Sequence, residues 1–107
     1  MATSKAYLEF VLGQLSELDG ISTRAMMGEY VLYYQGKVVG GIYDDRLLLK
    51  PTKTALEIMR GSAFGVLLEL PYEGAKEMLM PDVDDPALCC RVIRAIEQEL
   101  PAPRKKR

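Results

Sequence analysis

The residues of this sequence that could do chemistry are few, and histidine is not among them. Ser-His-Asp and Cys-His catalysis and His-ligated metal chemistry within one chain are therefore excluded. A thiol is the next candidate nucleophile. Cys89 and Cys90 are adjacent on a predicted helix, where neighbours point about 100° apart. That geometry suits neither a strain-free disulfide nor a chelate. Both are expected as reduced cytosolic thiols, one packed in the core and one partly exposed. Their place near a helix N-terminus could lower a thiol pKa, with Arg91 and Arg94 the nearest cations in sequence.

Carboxylates gather in two places, Asp44-Asp45 beside Arg46 and Asp82-x-Asp84-Asp85. Neither follows the spacing of a calcium-binding loop. The first reads as a hairpin turn, the second as a helix N-terminus with favourable dipole interactions. The Gly61–Gly65 segment lacks the Walker lysine pattern, and no GxGxxG motif occurs. No catalytic residue, metal site or cofactor is expected.

Binding is better provided for. Met26-Met27-Gly28-Glu29 reads as two strand methionines followed by a turn glycine. Methionine is also used at adaptable protein surfaces, so a partner contact is the other use. Tyr30, Tyr33, Tyr34 and Tyr43 could stack on bases, but no RNP-like basic-aromatic block accompanies them; core or interface packing is expected. Met26, Met27, Tyr30 and Tyr33 are the candidate partner contacts. Arg104, Lys105, Lys106 and Arg107 are the candidate nucleic-acid contacts.

The elements that must position these groups follow from periodicity. Tyr7, Phe10, Val11, Leu15 and Leu18 form one stripe of a helix from about Ser4 to Leu18, capped by Thr3 or Ser4. Gly13 lies inside it, as a close-approach point or a tolerated defect. Runs at 22–27, 29–34, 37–43 and 46–50 are split by Gly28, Gln35-Gly36 and Asp44-Asp45. They predict an antiparallel meander. Tyr30, Leu32 and Tyr34 share one face of the second strand, and Val31 and Tyr33 the other. Both faces are apolar, which requires cover on both sides or a partner on one. Gly40-Gly41 predicts a bulge or a backbone packed closely against a helix.

A second helix runs from Thr52 or Thr54 to about Arg60, and a hairpin over 66–72 and 75–80 turns at Glu73-Gly74. Pro71 marks an edge strand or an early strand end. Asp85 caps the last helix and Pro86 opens it, with Cys89, Val92, Ile93, Ile96 and Leu100 as its apolar stripe. The order is α-β-β-β-β-α-β-β-α, an α+β fold of two layers with an antiparallel sheet packed by helices.

The 107 residues suit one domain over 1–100, followed by a disordered basic tail over 101–107. The formal charge of −1 disfavours a strongly basic nucleic-acid coat. It also hides an asymmetry. The last four residues are all basic, whereas residues 1–103 hold 10 basic and 15 acidic side chains, a net of −5. No segment reaches the roughly 18 apolar residues of a membrane helix, and no secretory signal is seen. A cytoplasmic location without membrane contact is expected.

From Arg24 to Lys50 the chain resembles the N-terminal domain of the TfoX/Sxy family of bacterial competence regulators. The matching features are Met26-Met27-Gly28, Tyr30-x-Leu32-Tyr33, the Gly36 turn, Asp44-Asp45 and Leu47-Leu48-Leu49-Lys50. Met27 and Glu29 depart from the usual Met-Phe-Gly-Gly. Pro71-Tyr72-x-Gly74-Ala75-Lys76 and the terminal helix resemble stand-alone members. The resemblance implies a secretion-chaperone-like α+β fold, frequent pairing into dimers and no enzyme. Longer members add a helix-hairpin-helix-like module, before which this chain is expected to end. The functional expectation is a regulatory protein-interaction domain that forms a homodimer and meets an unidentified regulatory protein. The alternative is a weak nucleic-acid-binding accessory protein that uses the basic tail.

Overall fold

A computed structural model describes residues 2–101. The element order is α1 (Lys5–Gln14), β1 (Ile21–Met26), β2 (Glu29–Tyr34), β3 (Lys37–Ile42), β4 (Leu47–Leu49), α2 (Lys53–Arg60), β5 (Leu68–Glu69), β6 (Met78–Leu79) and α3 (Pro86–Glu99). This is the α+β order that the sequence predicts. The six strands form one antiparallel sheet in the order β1-β2-β3-β4-β6-β5.

Three tight turns drive the meander. Gln35 and Gly36 have φ of 54° and 80°, Asp44 and Asp45 of 52° and 56°, and Met27 and Gly28 of 53° and 87°. Two successive positive φ values match the right-handed twist of the flanking strands. Met27 therefore sits in the turn rather than in the strand where the sequence put it, since β1 ends at Met26.

The helices share one face of the sheet. Val11 and Leu15 from α1, Ala55 and Met59 from α2, and Leu88 through Ile96 from α3 join Leu32, Ile42, Leu47, Leu49 and Leu79 in one buried cluster. Tyr30 and Tyr34 pack against that cluster. Side chains alternate along a strand, so Val31 and Tyr33 point to the opposite face, where they stay half-buried.

Several local expectations are corrected. Helix α1 ends at Gln14, short of Leu18, because the chain turns after Leu15; Leu18 is still buried. Phe10 leaves the predicted stripe and is 42% exposed. Gly13 would place a Cβ in open space, so it marks no close approach. The Gly40-Gly41 pair faces a neighbouring strand and not a helix. The β2–β3 register shifts between Leu32 and Tyr33, and a Cβ on Gly40 would strike the Leu48 carbonyl oxygen and backbone of β4. The hairpin strands β5 and β6 are two residues each. Pro71 fits this, since β5 is an edge strand that ends at Glu69.

Long-range polar contacts fasten the helix ends. Ser4 caps α1 by accepting from the Tyr7 N–H at 3.1 Å, and Asp85 caps α3 by accepting from the Leu88 N–H at 3.1 Å. Thr52 holds the N-cap position of α2 without a side-chain capping bond. The Glu99 carboxylate of α3 supplies that bond instead, accepting from the Thr54 N–H at 2.9 Å and its hydroxyl at 3.0 Å. Those bonds favour the charged form and hold the Glu99 carboxyl below its ordinary pKa. At the far end of α3, the Lys37 ammonium donates to the Glu97 and Leu100 carbonyls at 2.8 and 3.1 Å. It also pairs with the Glu97 carboxylate at 2.9 Å. A cation there complements the negative helix terminus.

Candidate functional site

The candidate contact residues occupy one hairpin. Met27 at its tip is 98% exposed and Met26 beside it 53% exposed. Tyr33 lies half-buried on the sheet face opposite the helices. Tyr30 lies on the other face, packed against the core, so the hairpin does not bring all four together. Strand β1 pairs only with β2 and closes the sheet on that side. Its six residues leave their outward backbone groups open to pairing with another strand.

The opposite sheet face continues beyond Tyr33. Val31 pairs with Gly41, and Gly41 with Leu48. Leu48 is fully buried yet stands apart from the main cluster, as expected of a residue between Leu47 and Leu49. The Tyr43 ring lies over Gly41 and meets Tyr72 edge-on, with ring centroids 6.3 Å apart. Burial, then Tyr72 and Glu29, raise the Tyr43 pKa above its ordinary value.

Glu29 has a role the sequence reading did not find. One carboxylate oxygen accepts from the Thr3 N–H at 3.1 Å, the Thr3 hydroxyl at 2.6 Å and the Asp44 N–H at 3.0 Å. Asp45 accepts from the Ser4 N–H at 2.9 Å. The acidic turn and Glu29 thus bind the segment before α1 to the sheet. The signal in sequence is the one departure that introduces a charge, a glutamate where the resembled pattern has glycine.

The thiols differ from expectation. Both Cys89 and Cys90 are buried, so neither is partly exposed. The Cys89 pKa is pushed up to about 12, first by burial and then by Cys90, Asp85 and Asp82. Burial and Glu17 also raise that of Cys90, against Arg94. Desolvation and carboxylates outweigh the helix N-terminus. In native protein at pH 8, both thiols are expected to resist iodoacetamide for hours, and both to react within minutes in denaturant. Labelling of either at the rate of a free thiol in native buffer would contradict this burial.

A third feature was not visible in sequence. A cavity of about 370 Å³ opens between α1, the start of β4, the α2–β5 connection and the β6–α3 connection. Leu47, Met59, Leu67 and Leu88 wall it, and Tyr7, Asp45, Asp82 and Asp85 also line it.

Among the described residues, no group of three or more Cys, Asp or Glu side chains is arranged to hold a metal ion. Nor, among those residues, is any helix long and apolar enough to cross a membrane. The tail residues Arg104, Lys105, Lys106 and Arg107 lie outside the described residues.

Comparison with known proteins places these features in context. Residues 13–61, from the end of α1 through α2, match the family model described as TfoX N-terminal domain. The chain is also similar to an uncharacterized 12.7 kDa protein in the trpE 5′ region of Spirochaeta aurantia. The two are 35% identical over 109 positions that cover 100% of this chain and 91% of the relative. No solved structure matches significantly.

Proposed function

The chain belongs to the TfoX N-terminal domain family, a regulatory family rather than an enzyme family, and from that premise we propose a non-enzymatic regulatory module that self-associates. In this reading the module acts in the cytoplasm as a homodimer joined through Met26 and Tyr33, and presents the exposed Met27 tip to a regulatory protein in transcriptional control. The observation that carries it is the edge of β1, unpaired among the described residues, beside a sheet face that none of the described helices covers. An open six-residue edge can pair with its own copy about a two-fold axis. Packing of the copy across the adjoining face, beyond the edge pairing itself, would bury the half-exposed Val31 and Tyr33 side chains. Solvent-exposed Met26 and Met27 supply an adaptable apolar rim. The absence of histidine and the buried, protonated thiols support a binding role over catalysis.

Sedimentation of the full chain at 1–200 μM tests self-association. A dimer is expected, with a Tyr33→Ser/Met26→Ser variant shifting the midpoint of association at least tenfold upward. Both substitutions lie outside the main core cluster, so the variant should keep its fold by circular dichroism. A strict monomer throughout that range overturns the dimer reading.

A further inference from the structure

We propose that the cavity between α1, β4 and the start of α3 binds a small organic cation, a protonated amine carried on an apolar body. Its volume of about 370 Å³ lies at the lower end of the roughly 300–1,000 Å³ typical of small-molecule sites. Buried Leu47, Met59 and Leu88 form its floor. Phe64 and Leu67, 69% and 44% exposed, extend the apolar wall toward solvent. Burial of an aralkyl or alkyl body against such walls supplies affinity in proportion to area.

The net charge of the lining is negative. Asp45, Asp82 and Asp85 contribute to it, and Arg46 is its one cation. Arg46 is already engaged. Its Nε donates to the Tyr43 carbonyl at 3.2 Å, one terminal nitrogen to Glu69 at 3.3 Å and the other to the Pro71 carbonyl at 3.4 Å. The three aspartates each commit one oxygen to the fold. Asp45 accepts from Ser4, Asp82 from the Asp84 N–H and Asp85 from the Leu88 N–H. In each case the accepting atom is Oδ1, and Oδ2 takes no hydrogen bond from the described residues. An anion would meet uncompensated negative charge here. A metal ion would find no cluster of three ligands among the described residues. A cation with an apolar body satisfies both the spread carboxylates and the leucine walls. The Tyr7 hydroxyl adds a neutral polar group. Burial and the nearby Asp45 and Asp84 keep it protonated by raising its pKa, against the Leu47 backbone.

The site is independent of self-association, since its lining includes no residue of β1 or β2. Its test uses 15N-labelled full chain titrated with phenethylammonium, with its neutral isostere 2-phenylethanol, and with an acetylated lysine pentapeptide. Saturable shifts at Tyr7, Leu47, Met59 and Leu88 are expected for the amine. Its affinity should exceed that of the alcohol at least fivefold and fall severalfold between 50 and 300 mM salt. An Asp45→Asn/Asp82→Asn variant keeps both Oδ1 acceptors, and asparagine tolerates the positive φ at position 45. It should erase the preference for the amine while binding of the alcohol stays unchanged. Equal affinity for amine and alcohol, shifts elsewhere, or no saturation overturns the proposal. Tighter binding of the pentapeptide than of the amine also overturns it, in favour of a docking groove for a basic protein segment.

Discussion

Gly40→Ala is expected to remove about 2–3 kcal/mol of stability, near the upper part of the range for overpacked cores. The added Cβ would overlap the Leu48 carbonyl oxygen and lie 2.9 Å from the Leu49 Cα and 3.0 Å from its Cδ2. Two of those three atoms are backbone, so no rotamer change relieves the clash. Strand β4 would have to move, and Leu47, Leu48 and Leu49 are each at most 1% exposed. Any shift of β4 therefore disturbs the core on one face and the packing of Leu48 on the other. Against a typical total of about 5–15 kcal/mol, the loss is large. The urea midpoint measures it. Gly13→Ala is the control, because a Cβ there meets nothing, and it should be neutral or stabilising by up to about 1 kcal/mol. Equal midpoints for Gly40→Ala and the parent chain would show that β3 and β4 are not in the close contact described.

Ile93→Ala is expected to cost more, about 3–4 kcal/mol, through lost burial and the cavity left behind. Ile93 is fully buried at the centre of α3, and that helix packs on both α2 and β3. The helices and sheet surround the site and cannot close on it without moving together. The thiols give a second readout. Cys89 and Cys90 precede Ile93 on the same helix and are equally enclosed. If they react only through global opening, a loss of 3 kcal/mol raises their labelling rate roughly a hundredfold, since about 1.4 kcal/mol is tenfold in an opening constant. A fall in midpoint without faster labelling would mean that the thiols are exposed by a smaller, local opening. An unchanged midpoint would remove Ile93 from the core.

These two positions show what kind of information the chain carries locally. The isoleucine was marked as core by a stripe at helical spacing, and that reading held. The glycine pair was marked, also from sequence, as a bulge or a close approach to a helix; the register shift is there, but the close neighbour is strand β4. Spacing reveals that a side chain is unwelcome. It does not reveal what lies opposite.

The same division runs through the candidate sites. The element order, the turns at Gln35-Gly36 and Asp44-Asp45, the Asp85 cap and the shared face of Tyr30, Leu32 and Tyr34 are local properties. Turn chemistry, capping and periodicity act over two to eleven residues, so the sequence alone determined them. Insertion of β6 between β4 and β5 joins segments some thirty residues apart, and no local preference encodes it. Glu29 holding Thr3, Lys37 closing α3 and Glu99 capping α2 span 26, 60 and 45 residues. Each residue type is ordinary until its partner is known. The tertiary structure alone decided that both thiols are buried, that the Tyr30 face of β2 meets the helices while the Tyr33 face does not, and that three aspartates border an apolar cavity. Burial and charge proximity are sums over neighbours, and the fold chooses the neighbours.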